Sequence, residues 1–256
     1  MTGPLDAFRL DDRVVVITGA SSGLGLGFAR AVAAVGGRLV LGARRLDRLE
    51  ELASALRAAG ASVLVQAVDV TVPEQCQALV DAAVAAHGRV DVLVNNAGLG
   101  GSVAASRETP EGFRQVIDVN LNGSFWMAQA CARVMPPGSS IVNVSSVHGM
   151  VASRYPGASY AASKAGVIGL TRDLAQQWSR RKGIRVNALC PGYFATEMTT
   201  AHGADKLRAM VAEHSLLGRF GEQPEVDSAL LFLASRASSY VTGTTLVVDG
   251  GLAATV

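Results

Sequence analysis

Cys76, Cys131 and Cys190 are the only cysteines in this 256-residue chain. Their odd number and the lack of a C-x-x-C pair exclude a disulfide framework and a zinc site of that spacing, so buried free thiols in a reducing compartment are expected. Charge is sparse too: 17% of residues are charged, 5% are aromatic, and the net charge is +2. Basic residues cluster only at Arg44-Arg45 and Arg180-Arg181-Lys182, without interleaved aromatic rings to stack on bases. Neither nucleic acid nor a membrane surface is therefore an expected partner. His202 and His214 stand twelve apart with no partner at ligand spacing, so no metal is assigned. The N-terminus has Asp6, Asp11 and Asp12 and no long apolar run, which argues against a secretory signal or a membrane helix and for a cytoplasmic protein.

Apolar residues are abundant, at 49%, enough for one substantial core, and 1–256 reads as a single domain. Short β-branched runs recur at Val14–Ile17, Leu39–Leu41, Val63–Val65, Val92–Val94, Ile141–Val144, Ile184–Ala188 and Leu246–Val248. Helical spacing separates them, over Gly25–Val35, Leu46–Ala59, Glu74–Ala86, Glu111–Met135, Tyr160–Arg180 and Glu225–Ser235. This alternation predicts an α/β fold: a doubly wound parallel sheet of about seven strands with helices on both faces, of Rossmann type. Near-continuous apolar strands fit a sheet buried on both sides.

The first predicted strand runs into Thr18-Gly19-Ala20-Ser21-Ser22-Gly23-Leu24-Gly25. Glycines let a backbone turn sharply toward a ligand, and the free N–H groups of a helix start attract phosphate, so this turn is a candidate pyrophosphate site. At the end of the second strand, where a dinucleotide ribose would lie, stand Arg44 and Arg45, with no acid before Asp47. An arginine there suits the extra phosphate of NADP. Arg44 is favoured for that contact, with Arg45, Ser21 or Ser22 assisting; alone, Arg45 and Arg48 read as the solvated start of a helix. Asp69 and Val70 follow the third strand, at the rim where ligands bind or in a simple turn, and Thr71 is a candidate N-cap. Asn95-Asn96-Ala97-Gly98 follows the fourth.

Tyr160 and Lys164 sit one turn apart on a predicted helix face. A fixed ammonium favours a phenolate, and such a pair suits general acid/base chemistry. Asn120 interrupts the apolar pattern Phe113, Val116, Ile117, Leu121, where a polar side chain competes for backbone bonds and kinks a helix.

Together, Thr18-Gly19-x-x-x-Gly23-x-Gly25, Asn95-Asn96-Ala97-Gly98, Asn120, Ser146, Tyr160-x-x-x-Lys164 and Pro191-Gly192 resemble the short-chain dehydrogenase/reductase family over essentially the whole chain. The resemblance implies an NADP(H)-dependent enzyme, with NAD(H) as the alternative, acting on a small carbonyl or alcohol substrate. Tyr160 would be the proton donor and acceptor, Lys164 would bind the nicotinamide ribose and lower the Tyr160 pKa, and Ser146 would hydrogen-bond the reacting oxygen. Asn120 would hold a water linking Lys164 to solvent. The pattern Ser146-x-x-Gly149 selects Ser146 over Ser145. Asp69 and Val70 would contact adenine, Asn95, Asn96, Ala97 and Gly98 would lie along the cofactor, and Pro191, Gly192 and Thr196 would bind the carboxamide. The stretch Pro191–Met198 is similar to that of sugar-acid dehydrogenases and 3-oxoacyl carrier-protein reductases, and about 193–217 would form a substrate lid. His148, in the loop after Ser146, reads as a locally satisfied histidine. A homotetramer is implied, and the rival class is a non-enzymatic dinucleotide-binding sensor.

Overall fold

The structure is a computed structural model and describes residues 3–152, 154–196 and 204–255. Seven strands form one sheet: β1 (Val14–Thr18), β2 (Arg38–Ala43), β3 (Val63–Ala67), β4 (Val92–Asn95), β5 (Ser140–Val144), β6 (Arg185–Pro191) and β7 (Thr245–Val248). All pairings are parallel, in the order β3-β2-β1-β4-β5-β6-β7. Strand order reverses between β1 and β4, and the crevice outside the carboxyl ends of the strands at such a reversal is where doubly wound folds bind ligands.

The strand pleat divides the core in two. Val15, Ile17, Leu39, Leu41, Val94 and Val142 face α1 (Gly23–Ala34), α2 (Leu46–Ala58) and the helix Gln223–Ala234. Val14, Val16, Val40, Leu93, Ile141 and Val186 face α3 (Pro73–His87), α5 (Gly123–Val134) and α6 (Ala158–Lys182). Cys76, Cys131 and Cys190 are buried free thiols.

Local signals set several boundaries. Pro73 opens α3 and Pro110 opens α4 (Pro110–Ile117), where the Thr109 hydroxyl caps by accepting from Gly112 N at 3.1 Å. The basic run Arg180-Arg181-Lys182 fills the last turn of α6, facing the negative end of the helix dipole, and left-handed Gly183 (φ 67°) ends it. The expected single helix Glu111–Met135 is two, α4 and α5, joined by a π-helical turn over Asp118–Asn122. Thr71 is not an N-cap, a position held by Val72: its N–H and hydroxyl both donate to Asp69 Oδ1, at 3.0 and 2.7 Å.

Candidate active site

A cavity of about 350 Å³ opens at the carboxyl ends of the strands. One end is the glycine turn between β1 and α1. Gly19 adopts φ 66° and Gly23 φ 55°, conformations that L side chains rarely take, and a Cβ on Gly19 would lie 2.7 Å from the Ala97 Cα. Thr18 Oγ1 accepts from the Asn96 and Ala97 amides at 3.1 Å each, and Asn96 Nδ2 donates to the Thr18 and Gly19 carbonyls. The loops after β1 and β4 are thus fastened together, with Gly19, Ser22, Gly23, Leu24, Ala97 and Gly98 on the cavity wall.

Three residues expected along a cofactor do not line this cavity. Gly25 packs beneath the turn, where a Cβ would meet Asn96 Nδ2 and the Gly19 carbonyl at 2.5 Å each. Ser21 is 7% exposed and accepts from Arg45 Nε at 3.3 Å. Asn95 is 3% exposed and donates to the Ser124 carbonyl and to Asn143 Oδ1, so it ties β4 to α5 and β5.

At the β2 end, Arg44 and Asp69 line the cavity together with Val70. The two Thr71 bonds hold the Asp69 carboxyl below its ordinary range, with Arg44 a lesser influence. Arg45 also donates to Ser22 Oγ at 2.6 Å, so both hydroxyls of the glycine turn rest on one guanidinium. Sequence reasoning undervalued Arg45, because the chain reversal that carries it back to the turn leaves no local signal.

The other end holds the chemistry. Tyr160 and Lys164 occupy the first turns of α6, and Lys164 is 5% exposed. Its Nζ donates to the Val144 carbonyl at 2.9 Å and lies 5.7 Å from the Tyr160 ring centroid. Burial pulls the Lys164 ammonium down to about 8. Burial also pushes the Tyr160 phenol up, and a hydrogen bond with Ser146 opposes this. Desolvation is the largest influence on the phenol, so its shift is upward, opposite to the lowering expected from Lys164.

The two serines after β5 have separate duties. Ser145 Oγ donates to the Lys164 carbonyl at 2.7 Å, whereas Ser146 Oγ accepts from the His148 amide at 3.2 Å and bonds to Tyr160. A Cβ on Gly149 would stand 2.7 Å from the Lys164 carbonyl carbon, so glycine lets the turn after Ser146 close against α6.

Asn120, 1% exposed, sits in the π turn behind the cavity wall. Its Oδ1 accepts from Leu99 N at 2.7 Å, and its Nδ2 donates to the Leu99 carbonyl at 3.0 Å and Ser163 Oγ at 2.9 Å. The side-chain amide is thus committed to protein partners and fixes the loop after β4. An added Cβ on Gly98 would lie 3.3 Å from Asn120 Oδ1 and 3.5 Å from Lys164 Nζ, so this glycine keeps the wall thin between them.

Pro191 and Gly192, at the end of β6, and Thr196 close the far side of the cavity. The Asp249 backbone leaves no room for a side chain on Gly192, and the Thr196 side chain reaches back over Gly23. Of the expected lid, residues 197–203, with His202, lie outside the described part. Its start is tied to the chain just past its expected end by a parallel bridge between Phe194 and Gly221, with the Tyr193 and Phe220 rings stacked at 6.2 Å. Helix α7 (Ala204–His214) places Leu207 in the cavity wall. His148 is not satisfied locally: its Nε2 lies 3.3 Å from the Tyr193 hydroxyl, 45 residues on. Among the described residues, no group of His, Cys, Asp or Glu could hold a metal, and no helix is long and apolar enough to cross a membrane.

A doubly wound parallel sheet with a phosphate-type glycine turn at its switch point and a Ser-Tyr-Lys cluster beside it defines a dinucleotide-dependent class of protein. Comparison with known proteins makes that class specific. A family model described as enoyl-(acyl carrier protein) reductase matches residues 19–253. Galactitol 2-dehydrogenase (L-tagatose-forming) of Cereibacter sphaeroides is 44% identical over 248 residues, covering 95% of this chain and 96% of that protein. The 3-oxoacyl carrier-protein reductase of Thermotoga maritima is 40% identical, covering 95% of this chain and 99% of that one. The crystal structure of a gluconate 5-dehydrogenase from Burkholderia cenocepacia in complex with NADP and tartrate superposes with a TM-score of 0.92 at 36% identity, covering 99% of this chain and 100% of that chain. The chain belongs to the short-chain dehydrogenase/reductase family, and it is an oxidoreductase acting on CH–OH groups.

Proposed function

We propose that the protein is an NADP(H)-dependent oxidoreductase that interconverts a secondary alcohol and a ketone, with Tyr160 as general acid and base. The convergence of Ser146, Tyr160 and Lys164 on one end of a glycine-walled cavity carries this reading. The cavity fits a dinucleotide on its own geometry: backbone approaches at Gly19 and Gly23, an arginine at the ribose edge, and room that a Cβ on Gly98 would narrow. When bound, the nicotinamide supplies hydride transfer to or from the substrate carbon.

The chain's own groups handle the oxygen and its proton. In reduction, the Tyr160 hydroxyl gives its proton to the substrate oxygen, a role suited to a phenol that burial keeps protonated. Ser146, one lone pair occupied by the His148 amide, donates to the same oxygen as negative charge develops there. Lys164 binds the ribose hydroxyls and connects Tyr160 to the proton supply. Asn120 is a positioning residue that holds Leu99 and the π turn in place. Gly19, Ser22, Gly23, Leu24, Asn96, Ala97 and Gly98 cradle the cofactor, with Ser21 and Gly25 supporting the turn. Asp69 and Val70 flank the adenine, and Pro191, Gly192 and Thr196 hold the carboxamide. Arg44, aided by Arg45, takes the 2′-phosphate; the NADP in the Burkholderia cenocepacia structure supports this choice.

The working unit we propose is one domain over 1–256, lidded by about 193–217 and assembled as a homotetramer. Phe125, Trp126, Leu170 and Trp178, partly exposed on α5 and α6, offer an apolar face for the subunit contact. A monomer mass in light scattering would refute that assembly. The reaction is tested by following NADPH and NADH consumption with a panel of neutral ketones: NADPH-linked turnover is expected, and tight cofactor binding with no turnover on any ketone would favour the sensor class instead.

A further inference from the structure

The first turn of α6 carries Tyr160 and is poorly supported by its own sequence. Gly157 stands at the N-cap without a side chain to cap the turn, and the turn contains no acid to face the positive end of the helix dipole. A Cβ on Gly157 would lie 3.1 Å from the Gly101 carbonyl oxygen, so a capping side chain has little room there. Tyr160 is the third residue of the helix, within the part that frays first. Lys164 lies a turn further in, with its Nζ bonded to the Val144 carbonyl.

Support comes from elsewhere in the chain, on both sides of Tyr160. Behind it, the Ser163 hydroxyl donates to the Tyr160 carbonyl at 2.7 Å and accepts from Asn120 Nδ2 at 2.9 Å. Ahead of it, the hydroxyl of Ser159, a residue only 4% exposed, donates to Glu108 Oε1. Glu108 is itself held in place. Its amide donates to the Ala104 carbonyl at 3.1 Å, closing the helical turn Ala105–Arg107, and the next residue is Thr109, whose hydroxyl caps α4. The carboxylate thus reaches α6 from a fixed base, 51 residues before Ser159, and brings the negative charge that the first turn lacks. A hydrogen bond to a charged acceptor is stronger than a neutral one.

We infer that Glu108 is a positioning residue for the reaction: through Ser159 it pins the first turn of α6 and so keeps the Tyr160 hydroxyl beside Ser146 and the reacting oxygen. This inference rests on the reading of Tyr160 as proton donor. Glu108 does not line the cavity, so its effect is felt only through Tyr160. Its loss slows the proton-transfer step and leaves cofactor affinity alone, because the glycine turn, Arg44 and Lys164 have anchors of their own.

The test is single-turnover reduction of a neutral ketone by enzyme with pre-bound NADPH, and NADPH affinity is measured alongside. It compares the wild type, Glu108→Ala, Glu108→Gln, Ser159→Ala, the double alanine variant and Tyr160→Phe. Glu108→Ala and Ser159→Ala should each slow the saturated rate by about tenfold, since a misplacement of about 1 Å costs about a hundredfold, with KM and NADPH affinity little changed. The double variant should be no slower than either single one, because both remove the same interaction. Glu108→Gln, whose amide oxygen still accepts from Ser159, should recover most of the rate. Ser159→Ala removes the bond without touching the start of α4, which keeps the test if Glu108→Ala does not fold. A wild-type rate in either alanine variant, additive losses in the double variant, a glutamine variant as slow as the alanine one, or a parallel loss of NADPH affinity overturns the inference while turnover that requires Tyr160 leaves the reaction intact. Undiminished reduction by Tyr160→Phe, or no ketone reduced by the wild type, sinks the underlying reading and the inference with it.

Discussion

Lys164 stands with its Nζ 5.7 Å from the centroid of the Tyr160 ring, buried and donating to the Val144 carbonyl. Holding an ammonium there costs stability. Its pKa falls from an ordinary 10.5 to about 8, a difference on the order of 3 kcal/mol between the charge states. Because the folded value is the lower one, the cost is full below pH 8, declines between 8 and 10.5, and is gone above.

Lys164→Met is therefore expected to abolish turnover yet raise stability at pH 7 by about 1–2 kcal/mol, the lost Val144 bond offsetting part of the gain. The advantage should shrink as pH rises toward 10. Denaturant midpoints at the two pH values check this, and a variant less stable than wild type at pH 7 contradicts it.

Arg44→Ala should weaken NADPH binding by roughly ten- to hundredfold and NADH binding little, since only the former carries the 2′-phosphate. Arg45→Ala should produce a smaller, same-signed effect, because Arg45 also acts through the Ser21 and Ser22 hydroxyls. Fluorescence titrations with both cofactors measure the split. Equal losses for both cofactors would remove the phosphate role.

Asn120→Ala leaves the Leu99 amide and carbonyl without their partners, which should cost about 2–3 kcal/mol and lower Tm by roughly 4–12 °C. A residue serving only as a water ligand would slow proton resupply without that loss. Calorimetry beside a pH–rate profile tells the two apart; an unchanged Tm refutes the positioning role.

Much of this architecture is legible in the sequence because its signals are local. Near-continuous apolar runs specify strands buried on both faces, and all seven expected strands are present, with β6 extending to Pro191 and so delivering Gly192 and Tyr193 to the cavity. Helix ends follow prolines and glycines. What stays hidden depends on distant partners. The kink expected at Asn120 is present as a π turn, but its side-chain partner Leu99, on the loop after β4, is not encoded by its neighbours. Asn95 and Asn96 look equivalent in sequence, yet strand pairing turns one into the core and the other onto the glycine turn. Ser146 is distinguished from Ser145 by Gly149, whose reason, the Lys164 backbone, lies fifteen residues on. The His148–Tyr193 bond spans β6 and has no sequence signature at all.

The central claim is that Tyr160 moves the proton, and single-turnover reduction of a ketone by Tyr160→Phe with pre-bound NADPH tests it most directly. The account predicts a rate at least about a hundredfold below wild type, the usual scale for a lost general acid, with NADPH affinity within about threefold. Reduction at a near wild-type rate would contradict it.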